Sequence, residues 1–272
     1  MSLRINTNIA AFNTHRSMAS VDVKIAKSLE KLSSGLRINR ASDDAAGLSI
    51  ANSMRAQAMG LGQAQSNAQD AISLINTADG ALNEIGDILQ RMRELAVQSA
   101  NGTLTNTNRT ATDNEVQSLM SEIDNITSYT TFNGFQMLNA AATTFTFQVG
   151  AYNGQTMVAG ITGTSTGGLT LTGMKTDTQA NAQASLLSLD AAIAQVDSIR
   201  SKLGATSNRL SHTINSIAIT HENISAAESQ IRDVDMAAEM TTLTKNQIIF
   251  QSSTAMLAQA NSQPQSVLSL FR

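Results

Sequence analysis

From Leu61 onward, apolar or small residues recur at alternating spacings of three and four: Leu61, Ala64, Ala68, Ala71, Ile75, Ala78, Leu82, Ile85, Leu89, Met92, Ala96 and Ser99. Such a stripe marks a helix that buries one seam against a partner, and at about 1.5 Å per residue it makes a rod about 60 Å long. Small residues dominate its first half, so a partner can approach closely there. A second stripe follows the same spacing through Leu189, Ile193, Val196, Arg200, Leu203, Ser207, Leu210, Ile214, Ile217, His221, Ile224, Glu228 and Ile231. Two stripes of similar length joined by a long connection predict antiparallel partners. The polar members Arg200, Ser207, His221 and Glu228 are expected to set register or to face a third helix or solvent.

Between the stripes, Asn101 to Asn106 reads as a loop, and Thr112 with Glu115 three residues on has the capping-box pattern. A short helix carrying Val116, Leu119, Ile123 and Ile126 is expected to follow. The period then becomes two. Phe145, Phe147 and Val149 alternate with polar residues, Asn153-Gly154 supplies a hairpin turn, and Met157, Ala159 and Ile161 return. Gly163 to Gly168 forms a second turn region, with Leu169 and Leu171 alternating beyond it. The expected fold class is mainly α: an antiparallel long-helix bundle with a small β-hairpin element at one end.

The two ends carry stripes of their own. Met18, Val21, Ile25, Leu29, Leu32 and Leu36 run near the N-terminus; Met236, Met240, Leu243, Phe250 and Leu257 run near the C-terminus, interrupted by Gln247 and Thr254. Ile248, Ile249 and Met256 lie off that second stripe. Helices with apolar residues on more than one face need more than one neighbour, so the ends are expected to be helical and paired when subunits stack, and mobile before then.

Composition removes several functions. Aromatic residues are 3% of 272, with no Trp, which excludes a stacking platform for bases. Eighteen basic and 21 acidic side chains leave a net charge of −3, so nucleic acid is not an expected partner. No run of about 18 apolar residues suggests a membrane span, and residues 1–8 lack a signal-peptide core. The single Pro, Pro264, leaves long stretches free of helix breakers, and the absence of Cys removes thiolate and Cys-based zinc chemistry.

Gly60-Leu61-Gly62 is half of a dinucleotide fingerprint without its strand, and reads instead as a flexible point near a helix. Asp43 and Asp44 after Ser42 fit a helix N-cap. Asp233 and Asp235 read as solvated or interfacial carboxylates, and His15, His212 and His221 lack a nucleophile partner. No catalytic, cofactor or metal site is expected.

Longer blocks carry a resemblance. Leu32-Ser33-Ser34-Gly35-Leu36-Arg37-Ile38-Asn39, the run Ala41 to Gly47, Gly80 to Ile85, Gln90 to Gly102, Leu257 to Asn261 and Pro264 to Leu270 resemble bacterial flagellin. The likeness covers about 140 residues at the N-terminal side and 90 at the C-terminal side. It implies a self-polymerising subunit of the flagellar filament, exported unfolded without a cleaved signal peptide. The implied partners are a chaperone on the C-terminal segment, filament cap and hook-junction proteins, and the vertebrate Toll-like receptor that senses flagellin.

Residue by residue, the resemblance makes Arg91, Leu95 and Glu115 receptor contacts. The terminal stripes Val21, Ile25, Leu29, Leu32, Leu36, Met240, Leu243, Phe250, Leu257, Leu268 and Leu270 would serve assembly and export. It divides the chain into inner-core segments 1–43 and 235–272 and rod segments 44–138, 139–178 and 179–234. Only about 40 residues, Asn139 to Thr178, stand where many flagellins insert outer domains, and Phe271 replaces a more usual leucine. The alternatives are a hook-filament junction protein and a coiled-coil adaptor; the second would be a folded dimer throughout.

Overall fold

A computed structural model of the chain describes residues 7–138 and 143–270, the final eight as helix backbone. The described residues form helices α1 (Ile9–Ser34), α2 (Ala45–Ala100), α3 (Asn106–Tyr129), α4 (Gln179–Arg232) and α5 (Met236–Leu270). Two antiparallel hairpins join them: β1 (Thr131–Phe132) with β2 (Phe135–Gln136), and β3 (Thr143–Gln148) with β4 (Thr156–Ile161). Two compact units result, one from the described residues of 1–56 and 223–272, the other from residues 57–222.

In the unit of residues 57–222, every position of the stripe from Leu61 to Ser99 is buried, none more than 7% exposed. The antiparallel expectation holds: Arg93 Nε lies 2.7 Å from Asp190 Oδ1 and Arg200 Nε 2.9 Å from Asp79 Oδ1, so α4 ascends as α2 descends. The α4 stripe departs from expectation at alternate positions. Leu189, Val196, Leu203, Leu210 and Ile217 are buried, but Ala192, Ile199 and Thr206 take the places expected of Ile193, Arg200 and Ser207. The cause is a second neighbour, since Leu203 and Thr206 also face the β3–β4 hairpin. A helix packed on two sides turns toward both, and here that shifts its seam by one residue.

The capping-box expectation at Thr112 is also corrected. α3 starts earlier, with Thr105 extended at φ −78° and accepting from the Asn108 N–H at 3.4 Å. Thr112 lies inside the helix and donates to the Arg109 carbonyl. Arg109 explains the earlier start. Its buried guanidinium donates to the carbonyls of Ser99 and Asn101, each at 2.9 Å, and to Asn106 Oδ1 at 3.0 Å. One side chain thereby satisfies carbonyls that the end of α2 leaves open.

The β3–β4 register pairs Phe145 with Ala159 and Phe147 with Met157, and Gly154 turns at φ 84°. Met157, Ala159 and Ile161 face inward as expected. The hairpin lies along the flank of the helical pair, with the Asn67 amide donating to the Gln148 carbonyl and Met157 and Ile161 in the helices' core. An apolar hairpin face must be covered, and the flank of the helical pair covers it. Gly60 is correspondingly no flexible point: it is inside α2, where a Cβ would come within 3.1 Å of Ala151 Cβ.

Leu169 and Leu171 are fully buried, yet in turns rather than a strand, because Thr170 and Gly173 have φ of 57° and 77°. α3 clamps this segment: Asp124 accepts the Thr166 N–H at 2.9 Å and Asp113 accepts the Thr176 N–H at 2.6 Å. The β1–β2 hairpin, turning at Asn133 and Gly134, was not expected from the period of the chain; the Asn-Gly dipeptide at its turn is the signal that could have found it.

Candidate functional site

The surface of interest is the α1–α5 pair. α1 begins at Asn8, whose side chain accepts from the Ala11 N–H at 3.1 Å while its amide donates to the Ala260 carbonyl at 2.8 Å. It ends at Gly35, left-handed at φ 71°, whose N–H returns to the Lys31 carbonyl. Asp44 caps α2 by accepting from the Gly47 N–H at 2.8 Å. Asp235 caps α5 by accepting from the Ala237 and Ala238 N–H groups at 2.9 and 3.1 Å. Asp44 satisfies a helix end as the reading of Ser42-Asp43-Asp44 expected, while Asp235, expected as a solvated or interfacial carboxylate, does the same for α5.

Asp43 instead closes the turn before α2. The Arg40 N–H and then Lys27 Nζ, 3.2 Å away, hold its carboxyl below the usual carboxylate range. Nearby, the Arg37 N–H donates to the Arg232 carbonyl at 2.7 Å and the Val234 N–H to the Gly35 carbonyl at 3.1 Å. This single antiparallel bridge, Leu36 opposite Asp233, ties the entry of α2 to the exit of α4.

Along α1, Val21 is buried and Ile25 and Leu32 are half-buried, as is Leu36 just beyond its end. Leu29 is 50% exposed, and Ser28, 3% exposed, takes the inward place beside it. Ser28 fits because its hydroxyl donates to Glu239 Oε1 at 2.6 Å, with Lys31 Nζ 3.7 Å from the same carboxylate. On α5, Leu243 is buried and Phe250 and Leu257 are half-buried, again as expected. Met240 is 51% exposed: Glu239 turns inward to Ser28, and the next residue, about 100° further round the helix, turns out. Asn246, 8% exposed, fills the following inward position. The side chains of Leu268 and Leu270 lie outside the described residues.

The outer faces of the pair stay apolar. Ile9, Phe12, Val23 and Leu29 on α1, with Met236, Met240, Ile248 and Met256 on α5, are each about half exposed or more. Apolar groups presented this way around a helical pair call for covering by other chains. Sequence reasoning missed Ser28, Asn246 and Arg109 because it sought apolar residues; Ser28 and Asn246 do continue the three-and-four spacing, which is the signal that could have found them.

The three residues marked as receptor contacts separate. Arg91 Nη2 lies 2.9 Å from Glu115 Oε1 and its Nη1 3.1 Å from Glu94 Oε2, an exposed network joining α2 to α3. Glu115, and then Glu94, raise the guanidinium's pKa. Leu95 is 2% exposed and belongs to the core. His15 and His212 are exposed and His221 is half-buried. Among the described residues no cluster of His, Asp and Glu is arranged to hold a metal ion, and no helix is long and apolar enough to cross a membrane.

Comparison with known proteins places these helices. The bacterial flagellin N-terminal helical region matches residues 5–143, and the bacterial flagellin C-terminal helical region matches residues 186–271. A flagellin of Halalkalibacterium halodurans is 48% identical over 98% of this chain and 99% of its own length. A flagellin of Bacillus subtilis is 47% identical over 99% and 100%. The crystal structure of Bacillus cereus flagellin, 38% identical, aligns with a TM-score of 0.52 over 56% of this chain and 88% of that chain.

Proposed function

Because this chain belongs to the bacterial flagellin family, we propose that its paired terminal helices are the surface through which subunits stack. The chain is a structural subunit of the bacterial flagellar filament and not an enzyme. The observation that supports the stacking role is the apolar outer face of α1 and α5, from Phe12 and Leu29 to Met240 and Met256. A pair of helices can bury only the seam between them.

In this reading, segments 1–43 and 235–272 form the inner core of the filament, and segments 44–138, 139–178 and 179–234 form the rod around it. Val21, Ile25, Leu32, Leu36, Leu243, Phe250 and Leu257 hold the pair, while Leu29 and Met240 meet neighbouring subunits. Export precedes assembly, proceeds without a cleaved signal peptide and uses a chaperone on the C-terminal segment. Filament cap and hook-junction proteins engage the chain during growth. Arg91 and Glu115 form the face met by the vertebrate Toll-like receptor, with Leu95 supporting it from the core. The terminal helices gain their order on stacking, so strong amide-exchange protection of residues 7–40 in a confirmed monomer would overturn that part.

Electron microscopy tests the central claim, comparing the purified full chain after seeding or salting out with a chain ending at Asp235. Thin, uniform tubes are expected from the full chain and none from the shortened one. A discrete, fully folded dimer under every seeding condition would replace the filament reading with the adaptor.

A further inference from the structure

Among the described residues the methionines span a wide range of exposure, with Met18 and Met54 half-buried between two extremes. Met92 and Met137 are fully buried, and Met120, Met157 and Met174 are each 8% exposed. Met59, Met236, Met240 and Met256 are 64%, 49%, 51% and 61% exposed. Three of those four lie on α5. The sequence contains no cysteine, so no thiol competes for an oxidant within the chain.

Met240 and Met256 lie beside exposed isoleucines of α5, on a face where an added polar group would spoil apolar contact with a neighbour. Met240 shares a groove with Ile248 and the alkyl stem of Lys245, and Met256 borders one shared with Ile248 and Ile249. A methionine sulfoxide is polar, chiral and a strong hydrogen-bond acceptor. Buried between helices without a donor it carries the desolvation cost of an unpaired polar group.

We infer that Met236, Met240 and Met256 are reversible sulfoxidation sites through which a peroxide stops the unassembled chain from stacking. This rests on the filament reading above. In the step, the thioether sulfur attacks one peroxide oxygen. The O–O bond breaks, an S–O bond forms, and the second oxygen leaves as water; sulfur is oxidised by two electrons and the peroxide is reduced by two. A methionine sulfoxide reductase, supplied with a thiol reductant, reverses it. Once stacked, the same sulfurs are covered, so the filament resists an oxidant that disables its free subunits.

The test treats the full chain with hydrogen peroxide, locates sulfoxide by peptide mass spectrometry, and measures the critical concentration for seeded polymerisation. Residues 236, 240 and 256, with exposed residue 59, are expected to oxidise well before Met92 and Met137. The critical concentration should rise by about tenfold or more, as expected for burying unpaired polar groups at the interface. A triple variant, Met236→Leu, Met240→Leu and Met256→Leu, retains the apolar face and should polymerise equally well before and after peroxide. Treatment with the reductase should restore the oxidised wild type. Equal polymerisation of oxidised and untreated wild type would overturn the proposal, as would peroxide sensitivity persisting in the triple variant. Failure of the untreated wild type to polymerise at all would instead count against the filament reading.

Discussion

Replacing Arg109 by Met keeps the length of the alkyl stem and removes the charged fork that closes the end of α2. The fork makes three hydrogen bonds of 2.9 to 3.0 Å, two of them to the carbonyls of Ser99 and Asn101. Bonds from a charged donor contribute about 1.5–3 kcal/mol each, but three on one guanidinium do not add, and Asn101 is exposed enough for water to replace its partner. A loss of about 2–4 kcal/mol follows, most of it from the Ser99 carbonyl beside a residue that is itself fully buried. For a unit the size of residues 57–222, this lowers the thermal midpoint by about 5–15 °C. Far-UV circular dichroism of the unassembled chain measures it. Arg91→Met is the control, since Arg91 makes exposed ion pairs that solvent screens, and it should leave the midpoint nearly unchanged. Arg109→Lys should recover little, because an ammonium cannot reproduce the planar fork. Equal midpoints for Arg109→Met and Arg91→Met would refute the assignment of Arg109 as the clamp between α2 and α3.

Glycines separate by what surrounds them. Gly62→Ala has open space and should stabilise α2 by about 0.5–1 kcal/mol, whereas Gly60→Leu must displace Ala151 and should destabilise by about 1–3 kcal/mol; denaturant midpoints decide both. Acid should loosen the turn before α2. The lowered pKa of Asp43 means that its bonds to the Arg40 N–H and Lys27 stabilise the fold above the ordinary carboxylate range and are lost as pH falls through the lowered value, below about pH 4. The protection of the Arg40 amide, measured relative to its intrinsic exchange rate at each pH, should fall there in the wild type and be insensitive to acid in Asp43→Asn; identical protection profiles would contradict it.

The departures from the sequence reading share a physical origin. Leu29, Met240 and Ile193 are apolar and near the correct phase, yet each yields its inward place to a smaller or polar neighbour: Ser28, Glu239 or Ala192. Two alternating phases one residue apart share every second position, so residue type alone favours the phase with more large apolar side chains. Close packing can prefer the other. Glu239 turned toward Ser28 and Lys31 decides it on α1 and α5, and the hairpin against Thr206 decides it on α4.

The sequence by itself determined the long helices, the antiparallel partnership of α2 and α4, the β3–β4 hairpin with its inward residues, and the family. Those properties follow from local periodicity, turn chemistry and long runs of specific residues, which one chain displays in order. Only the tertiary structure decided the phase of each seam, the side of the helical pair on which the hairpin lies, the early start of α3 and the burial of Leu95. Each of these depends on which surfaces meet, and a residue's distance along the chain does not record what approaches it through space.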